Sequence, residues 1–344
     1  MAILFVTAIA GAVPTGARVG EASAAAATSA YESSGSFRLA DTREVDCGCT
    51  LLDPVTMRVA VAGRFGIPAG ITAVVVTVTA ANVTADTFLT AYPAGQAVPN
   101  TSTVNPRRDH DAANSAIVAV GDGGAIDIRS ATDIGSAIDV VVDVAGYFVA
   151  ADTATGGRFV PSTPERIFDT RRPGSPTGRL VPGGAVVVAR PAQVPTDSFG
   201  LVLNVTSVEA TQAGFLNASP AGGAATPTSF MNPDGSGDPL AASVITKATV
   251  DGVTIRATSG GHVIVDLVGW FTGPSAEAGS EGLFVPVTPA RHLDTRGDPR
   301  NVGPMGAIEL ALPYGAAAVA TNVTLDRTNE AGYVTAYPAG TPLP

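Results

Sequence analysis

The stretch His262-Val-Ile-Val-Asp-Leu-Val-Gly-Trp-Phe271 decides the fold, because it recurs as Asp139-Val-Val-Val-Asp-Val-Ala-Gly-Tyr-Phe148 and each time closes a unit after which the chain begins again. A β-strand turns alternate side chains to opposite faces. With that period Val263, Val265, Leu267, Gly269 and Phe271 point one way, and His262, Ile264, Asp266, Val268 and Trp270 the other. The earlier copy divides into Val140, Val142, Val144, Gly146 and Phe148 against Asp139, Val141, Asp143, Ala145 and Tyr147. One face is apolar, and the second carries a carboxylate and a large aromatic.

Outward from these strands, further landmarks repeat, and a repeat of this length sets the domain count before anything else does. Asp41-Thr-Arg43, Asp169-Thr-Arg171 and Asp294-Thr-Arg296 have arginines 171 − 43 = 128 and 296 − 171 = 125 residues apart. Thr77-Val-Thr79, Asn204-Val-Thr206 and Asn322-Val-Thr324 follow, then Tyr92-Pro-Ala-Gly95, Ser219-Pro-Ala-Gly222 and Tyr337-Pro-Ala-Gly340. Ser102-Thr-Val-Asn105 and Ser229-Phe-Met-Asn232 form a fourth pair. The second landmark stands a constant 16 residues before the proline of the third (93 − 77, 220 − 204, 338 − 322), which predicts a rigid hairpin with a turn at Ala85-Asp86.

Short Val- and Thr-rich runs broken by Gly and Pro, with no long helical pattern, make the class all-β. The expected architecture is a tandem of antiparallel β-sandwiches, jelly-roll or immunoglobulin-like, with a β-trefoil-like or other closed β architecture as the alternative. The boundaries read as 1-30 for a signal peptide and Ala-rich linker, 37-149 and 159-272 for two complete units, and 284-344 for a truncated third with an open sheet edge. Linkers at Ala150 to Arg158 and Gly273 to Gly282 are rich in small residues, so the units are expected to behave as beads on a string.

The net charge of -10 opposes bulk attraction to nucleic acid or anionic membranes. Met1 to Val13 is a short apolar run, and Ala22-Ser-Ala24 suits signal peptidase, so export is expected, although no basic residue precedes the apolar run. No other run is long enough to span a membrane. Cys47 and Cys49 are too few for a zinc site and are expected as a local disulfide or two free thiols.

Asp143 and Asp266 each sit inside an apolar strand, where a carboxylate needs a partner. Pairs of Arg43 with Asp143 and of Arg171 with Asp266 are expected to tie the first strand of a unit to its last. Tyr147 and Trp270 share a position and are the candidate sugar-stacking residues, against the plainer reading of packed aromatics. His110, His262 and His292 are not equivalent, and no Gly-x-Ser-x-Gly elbow, His-Glu-x-x-His or phosphate loop occurs, so neither catalysis nor a cofactor is expected. Asn232-Pro-Asp-Gly-Ser-Gly-Asp238 lacks the closing bidentate Glu of a calcium loop and reads as a polar turn.

The order Phe-Val-Pro, Asp-Thr-Arg, Asn-Val-Thr, Tyr-Pro-Ala-Gly, Ser-x-x-Asn and Asp-x-x-Gly-Tyr/Trp-Phe resembles a repeat of secreted actinobacterial proteins that stands on cell-surface proteins and beside cell-wall hydrolases. The resemblance covers residues 37 to 344, with departures in the first unit at Thr77 and at the Cys-Gly-Cys loop. It implies an extracellular, cell-surface context and no particular chemistry; the expected role is a secreted, non-enzymatic cell-surface or cell-wall binding and spacer module, with peptidoglycan or cell-wall polysaccharide as partner. The alternatives are an accessory region of a larger extracellular hydrolase and a purely structural stalk.

Overall fold

The computed structural model describes residues 2–7, 27–175, 177–297, 302–303, 306–311, 316–326, 328 and 332–343. Among them the regular structure is strand, with two short 3-10 turns and no α-helix. After β1 (Ala2–Thr7), the first unit contributes β2 (Ser29–Asp41), β3 (Thr50–Asp53), β4 (Thr56–Ala60), β5 (Ile71–Ala81), β6 (Leu89–Pro93), β7 (Ala112–Ala119), β8 (Ala125–Ser130) and β9 (Asp139–Ala150). The second contributes β10 (Phe159–Asp169), β11 (Gly184–Val188), β12 (Gly200–Val208), β13 (Leu216–Pro220), β14 (Leu240–Thr246), β15 (Val253–Ala257) and β16 (His262–Phe271). From the third comes β17 (Ala318–Val323).

Each complete unit is an open antiparallel sandwich, and the repeat is visible in its topology. Strand order β2-β9-β5-β7 in one sheet of the first unit matches β10-β16-β12-β14 in the second. The facing sheets run β3-β4-β8-β6 and β11-β15-β13. None closes into a barrel, so the closed alternative is not adopted. Between the sheets Val74, Val76 and Val78 meet Met57, Ile126 and Ile128 in the first unit, and Leu201, Leu203 and Val205 meet Leu216, Val253 and Ile255 in the second.

The constant 16-residue interval is not a hairpin. β5 pairs with β9 and β7, whereas β6 pairs with β8 in the facing sheet. Both strands carry an apolar face toward one core, and the segment between them is a corner from sheet to sheet, where a fixed length is as strictly required as in a turn.

The two-face reading of the closing strand also fails part way along. Opposite β5 the register of β9 shifts between Val144 and Gly146, and opposite β12 that of β16 shifts between Leu267 and Gly269. A bulge of this kind inserts one residue and reverses the alternation beyond it. Val140, Val142 and Val144 therefore share the sandwich core with Tyr147, while Phe148 emerges on the other side. In the second unit Val263, Val265 and Leu267 share their core with Trp270, and Phe271 emerges.

Those emerging rings dismiss the beads-on-a-string expectation. Phe148 and Phe271 join Tyr31, Ala73, Val75, Val202, Ile245 and Val268 in a third buried cluster that belongs to both sandwiches. Tyr31 stacks on Phe271 at 4.3 Å, and Phe148 approaches Phe271 edge-on at 6.0 Å. The two four-stranded sheets pack on each other through their second faces, where β5 contributes Ala73 and Val75 and β12 contributes Val202.

The linkers take part in this packing instead of hanging free. Ala154 and Gly279 exchange backbone hydrogen bonds of 2.9 and 3.1 Å, Gly157 N–H donates to Thr272 O at 2.8 Å, and Tyr31 N–H donates to Gly157 O at 2.9 Å. Phe159 N–H donates to Gly282 O at 2.7 Å, repeating the Tyr31 arrangement one unit later. Gly157 (φ +79) and Gly282 (φ +81) are left-handed, and a Cβ on either would lie 2.3 or 2.2 Å from the backbone oxygen of Tyr31 or Phe159. Gly157→Ala is expected to cost about 1–3 kcal/mol, because it adds left-handed strain to a backbone clash. Urea denaturation of the variant beside the wild type measures this, and a loss under about 0.5 kcal/mol, the usual range for a surface substitution, would show the linker to be loose.

The first strand of the first unit begins at Ser29, ahead of the expected boundary at residue 37. The segment read as a signal forms β1 and pairs antiparallel with β17 from Ala2 opposite Val323 to Thr7 opposite Ala318, so the third unit's strand has a partner.

Candidate functional site

The Asp-Thr-Arg landmark lies at the end of β2 and of β10, and all three of its residues are engaged. Asp41 Oδ1 accepts the Arg43 backbone N–H at 3.1 Å and Nε at 2.8 Å, while Oδ2 accepts Nη2 at 2.7 Å. The second copy gives 2.9, 2.9 and 2.8 Å for Asp169 and Arg171, and the third gives 3.1, 3.0 and 2.6 Å for Asp294 and Arg296. In each, the arginine folds back on its own aspartate in a bidentate grip that uses the fork a ligand clamp would need. Thr42 Oγ1 donates to Asp139 at 2.9 Å and accepts from Val140 N–H, and Thr170 Oγ1 lies 2.9 Å from His262 Nδ1 and accepts from Val263 N–H. The turn is thereby fastened to the first residues of the closing strand.

These contacts correct the expected pairs. Asp143 is bound by Arg38, whose Nε donates at 3.0 Å, and Asp266 by Arg166, whose Nε donates at 2.9 Å; Arg43 and Arg171 are taken by Asp41 and Asp169. The reason is register. Arg38 stands directly opposite Asp143, and Arg166 opposite Asp266, whereas Arg43 and Arg171 lie beyond the strand ends. The sequence carried the signal as Arg-x-x-Asp-Thr-Arg, present at Arg38, Arg166 and Arg291.

The charge environment of each carboxylate follows. The Arg171 side-chain hydrogen bonds hold Asp169 at about 2 despite its burial. Burial pushes Asp41 up, but the Arg43 hydrogen bonds and the Arg43 and Arg38 charges outweigh it, leaving the carboxyl low. Asp143 goes the other way: burial dominates over its bonds from Arg38, and the carboxyl sits above the ordinary range. A carboxyl lowered in the fold stabilises above its unfolded value, near about 3.9, and loses that contribution as pH falls through its folded value. The melting-temperature gap between wild type and Asp169→Asn is therefore expected to be widest above about pH 4 and to shrink toward about pH 2. Thermal scans across that range read it directly, and a gap independent of pH would contradict the assignment.

Across the sheet the row continues from Arg38 and Asp143 to Thr77 and Ser115, with 3.1 Å between the two hydroxyl oxygens. In the first unit this row is buried beneath the second unit. Arg38 Nη2 donates to Pro227 O at 3.1 Å, the Ser36 and Thr228 hydroxyls meet at 2.6 Å, and Ser229 N–H donates to Asp143 Oδ2 at 3.2 Å. A cavity of about 40 Å³ lies here, lined by Ser36, Thr77, Asp143, Thr228 and Lys247 among others. That volume has room for water, since one molecule needs about 10–15 Å³ of such space, but not for a sugar ring or a drug-sized ligand.

Tyr147 and Trp270 are half-buried, each packed on its own sandwich core, and the bulge takes them off the face that carries Asp143 and Asp266. Cys47 and Cys49 are joined by a disulfide. Among the described residues no group of three or more His, Cys, Asp or Glu is placed to hold a metal ion, and no helix is long and apolar enough to cross a membrane. Around the disulfide Leu51, Leu52 and Phe65 are exposed, with the Arg64 guanidinium 5.1 Å from the Phe65 ring centre.

No family model matches the sequence, and no curated protein matches it. Among solved structures the chain is similar to the N-terminal CBM22-1-CBM22-2 tandem domain from Paenibacillus barcinonensis Xyn10C, with 12% identity and a TM-score of 0.18, over 73% of this chain and 100% of that one. A likeness at that level carries no argument about function.

Proposed function

We propose that the chain is a secreted, non-enzymatic module of a bacterial cell surface, whose sandwiches form a rigid spacer that attaches to cell-wall polysaccharide or peptidoglycan. The seam between the sandwiches carries the spacer half of this reading. A spacer needs its units held at fixed relative orientation, and an interface with stacked aromatics and a buried charged row supplies that where a small-residue linker alone would not. The wall-binding half is supported by the resemblance of the motif order to the repeat of secreted actinobacterial surface proteins. Leu51, Leu52 and Phe65 offer exposed apolar area for such contact, with Tyr147 and Trp270 committed to the cores. Export with cleavage after Ala24 would remove β1 and free the edge of β17.

Co-sedimentation of the chain with purified actinobacterial cell wall tests the reading. Retention is expected, with a loss of about a hundredfold or more in affinity for the Leu51→Ser, Phe65→Ser double variant, since burying two apolar side chains is worth about 3 kcal/mol or more. Release of soluble sugar or peptide from the wall is not expected. If the protein stays in the supernatant, the wall-binding half fails and the spacer half stands on its own evidence.

A further inference from the structure

The first unit rests on the second through contacts that the third unit repeats on the first. Arg38 takes the Pro227 carbonyl of the second unit; Arg291, its equivalent, takes the Asn100 carbonyl of the first, also at 3.1 Å. Pro227 and Asn100 are themselves equivalent, each lying two residues before the Ser229 or Ser102 landmark. On the first unit, Thr77 and Asp143 border Ser229; on the third, Asn322 at the Thr77 position donates to Ser102 O. The aromatic contacts follow the same rule. Tyr31 of the first unit stacks on Phe271 of the second, and Phe284, which opens the third unit as Tyr31 opens the first, packs at 4.5 Å on Phe148 of the first.

An interface used head to tail twice leaves one receiving face, on the second unit. Arg166, Asp266 and Asn204 stand there in the register of Arg38, Asp143 and Thr77. Asp143 is 3% exposed beneath Ser229, whereas Asp266 is 19% exposed; Arg38 is 29% exposed and Arg166 40%. β1 passes beside β10 and β14 and still leaves Arg166 open to solvent.

We propose that the face centred on Arg166 and Asp266 is a third copy of this docking surface, and that its occupant is the loop of a further segment of this repeat type, corresponding to Thr226-Pro-Thr-Ser229. The occupant presents a carbonyl to Arg166, a hydroxyl beside Pro164 and an N–H to Asp266. Tyr31, Phe148, Phe159, Phe271 and Phe284 already converge from three units on one cluster, so three such contacts close a ring and not an open filament.

A chain in which residues 341–344 are replaced by residues 223–272 supplies that loop in register, since Gly340 and Gly222 are equivalent. Hydrogen exchange at Glu165 to Phe168 is expected to slow by about tenfold or more relative to the parent chain, with a rise of several degrees in melting temperature. Arg166→Ala in the extended chain should abolish both changes and leave the parent chain nearly unaffected. Unchanged exchange in a folded extended chain, or protection that survives Arg166→Ala, overturns the proposal. Protection of β10 that grows with concentration of the parent chain also overturns it, by making a second copy the occupant. If the extended chain does not fold, a synthetic peptide of residues 223–235 titrated into the parent chain replaces it. Chemical-shift changes confined to Arg166, Asp266 and Asn204 then support the proposal, and their absence at millimolar peptide contradicts it.

Discussion

Phe271→Ala lowers the stability of the chain by about 3–5 kcal/mol, the range for deleting a buried aromatic ring, and separates the unfolding of the two sandwiches. Phe271 is buried at the seam, 4.3 Å from Tyr31, 5.5 Å from Phe159 and 6.0 Å from Phe148, so truncation empties the centre of the shared cluster. Neither sandwich core contains it, and each keeps its own buried strands. The expected signature is therefore loss of coupling with both folds retained. Guanidinium denaturation of the wild type should show one transition by every probe, and the variant two. A variant that loses the same free energy but still unfolds in one step would place Phe271 in the second sandwich alone.

Arg38→Ala costs about 3 kcal/mol at neutral pH, because it strands the buried Asp143 carboxylate without its guanidinium. The equivalent Arg166→Ala costs less than about 1 kcal/mol, since Arg166 and Asp266 remain in contact with solvent. Burial already raises Asp143. A carboxyl raised in the fold favours the protonated native state: its contribution is present below the unfolded value and is lost as pH rises through the folded one. Removing Arg38 enlarges that rise, so the deficit of Arg38→Ala should grow as pH climbs from about 4 and shrink toward about pH 3, where the bonds of Arg38 to Asp41 and to Pro227 O leave a remainder. Denaturation of the two variants at several pH values checks both the size and the direction. Equal deficits at Arg38 and Arg166 would mean that the second unit gives Asp143 no extra burial.

The sandwich class and the repeat could be read from residue order, because period-2 valines and spaced landmarks are local properties. What escaped was every feature set by a neighbour. The bulges at Ala145 and Val268 reverse the faces of Tyr147 and Phe148, and of Trp270 and Phe271, without any local mark beyond the glycine that follows. The Arg38–Asp143 pair depends on β2–β9 register, although Arg-x-x-Asp-Thr-Arg in all three units was there to be counted. The seam had a sequence trace too. Ala73-Val-Val-Val76 and Gly200-Leu-Val-Leu203 are apolar at successive positions, the pattern of a strand covered on both faces and not of one with a solvent side. The small-residue linkers pointed to looseness, yet their glycines are there to pass close beside Tyr31 and Phe159.

Spin labels on the outer sheets test the rigid pairing of the sandwiches most directly. Cysteines at Leu51 in β3 and Val187 in β11 place one exposed label on each unit, away from the seam, while the native Cys47–Cys49 disulfide stays unlabelled. Electron–electron double resonance should give a single narrow distance distribution in the wild type, which broadens in Phe271→Ala. A broad distribution in the wild type, already as wide as that of the variant, would contradict the shared seam and return the units to independent beads.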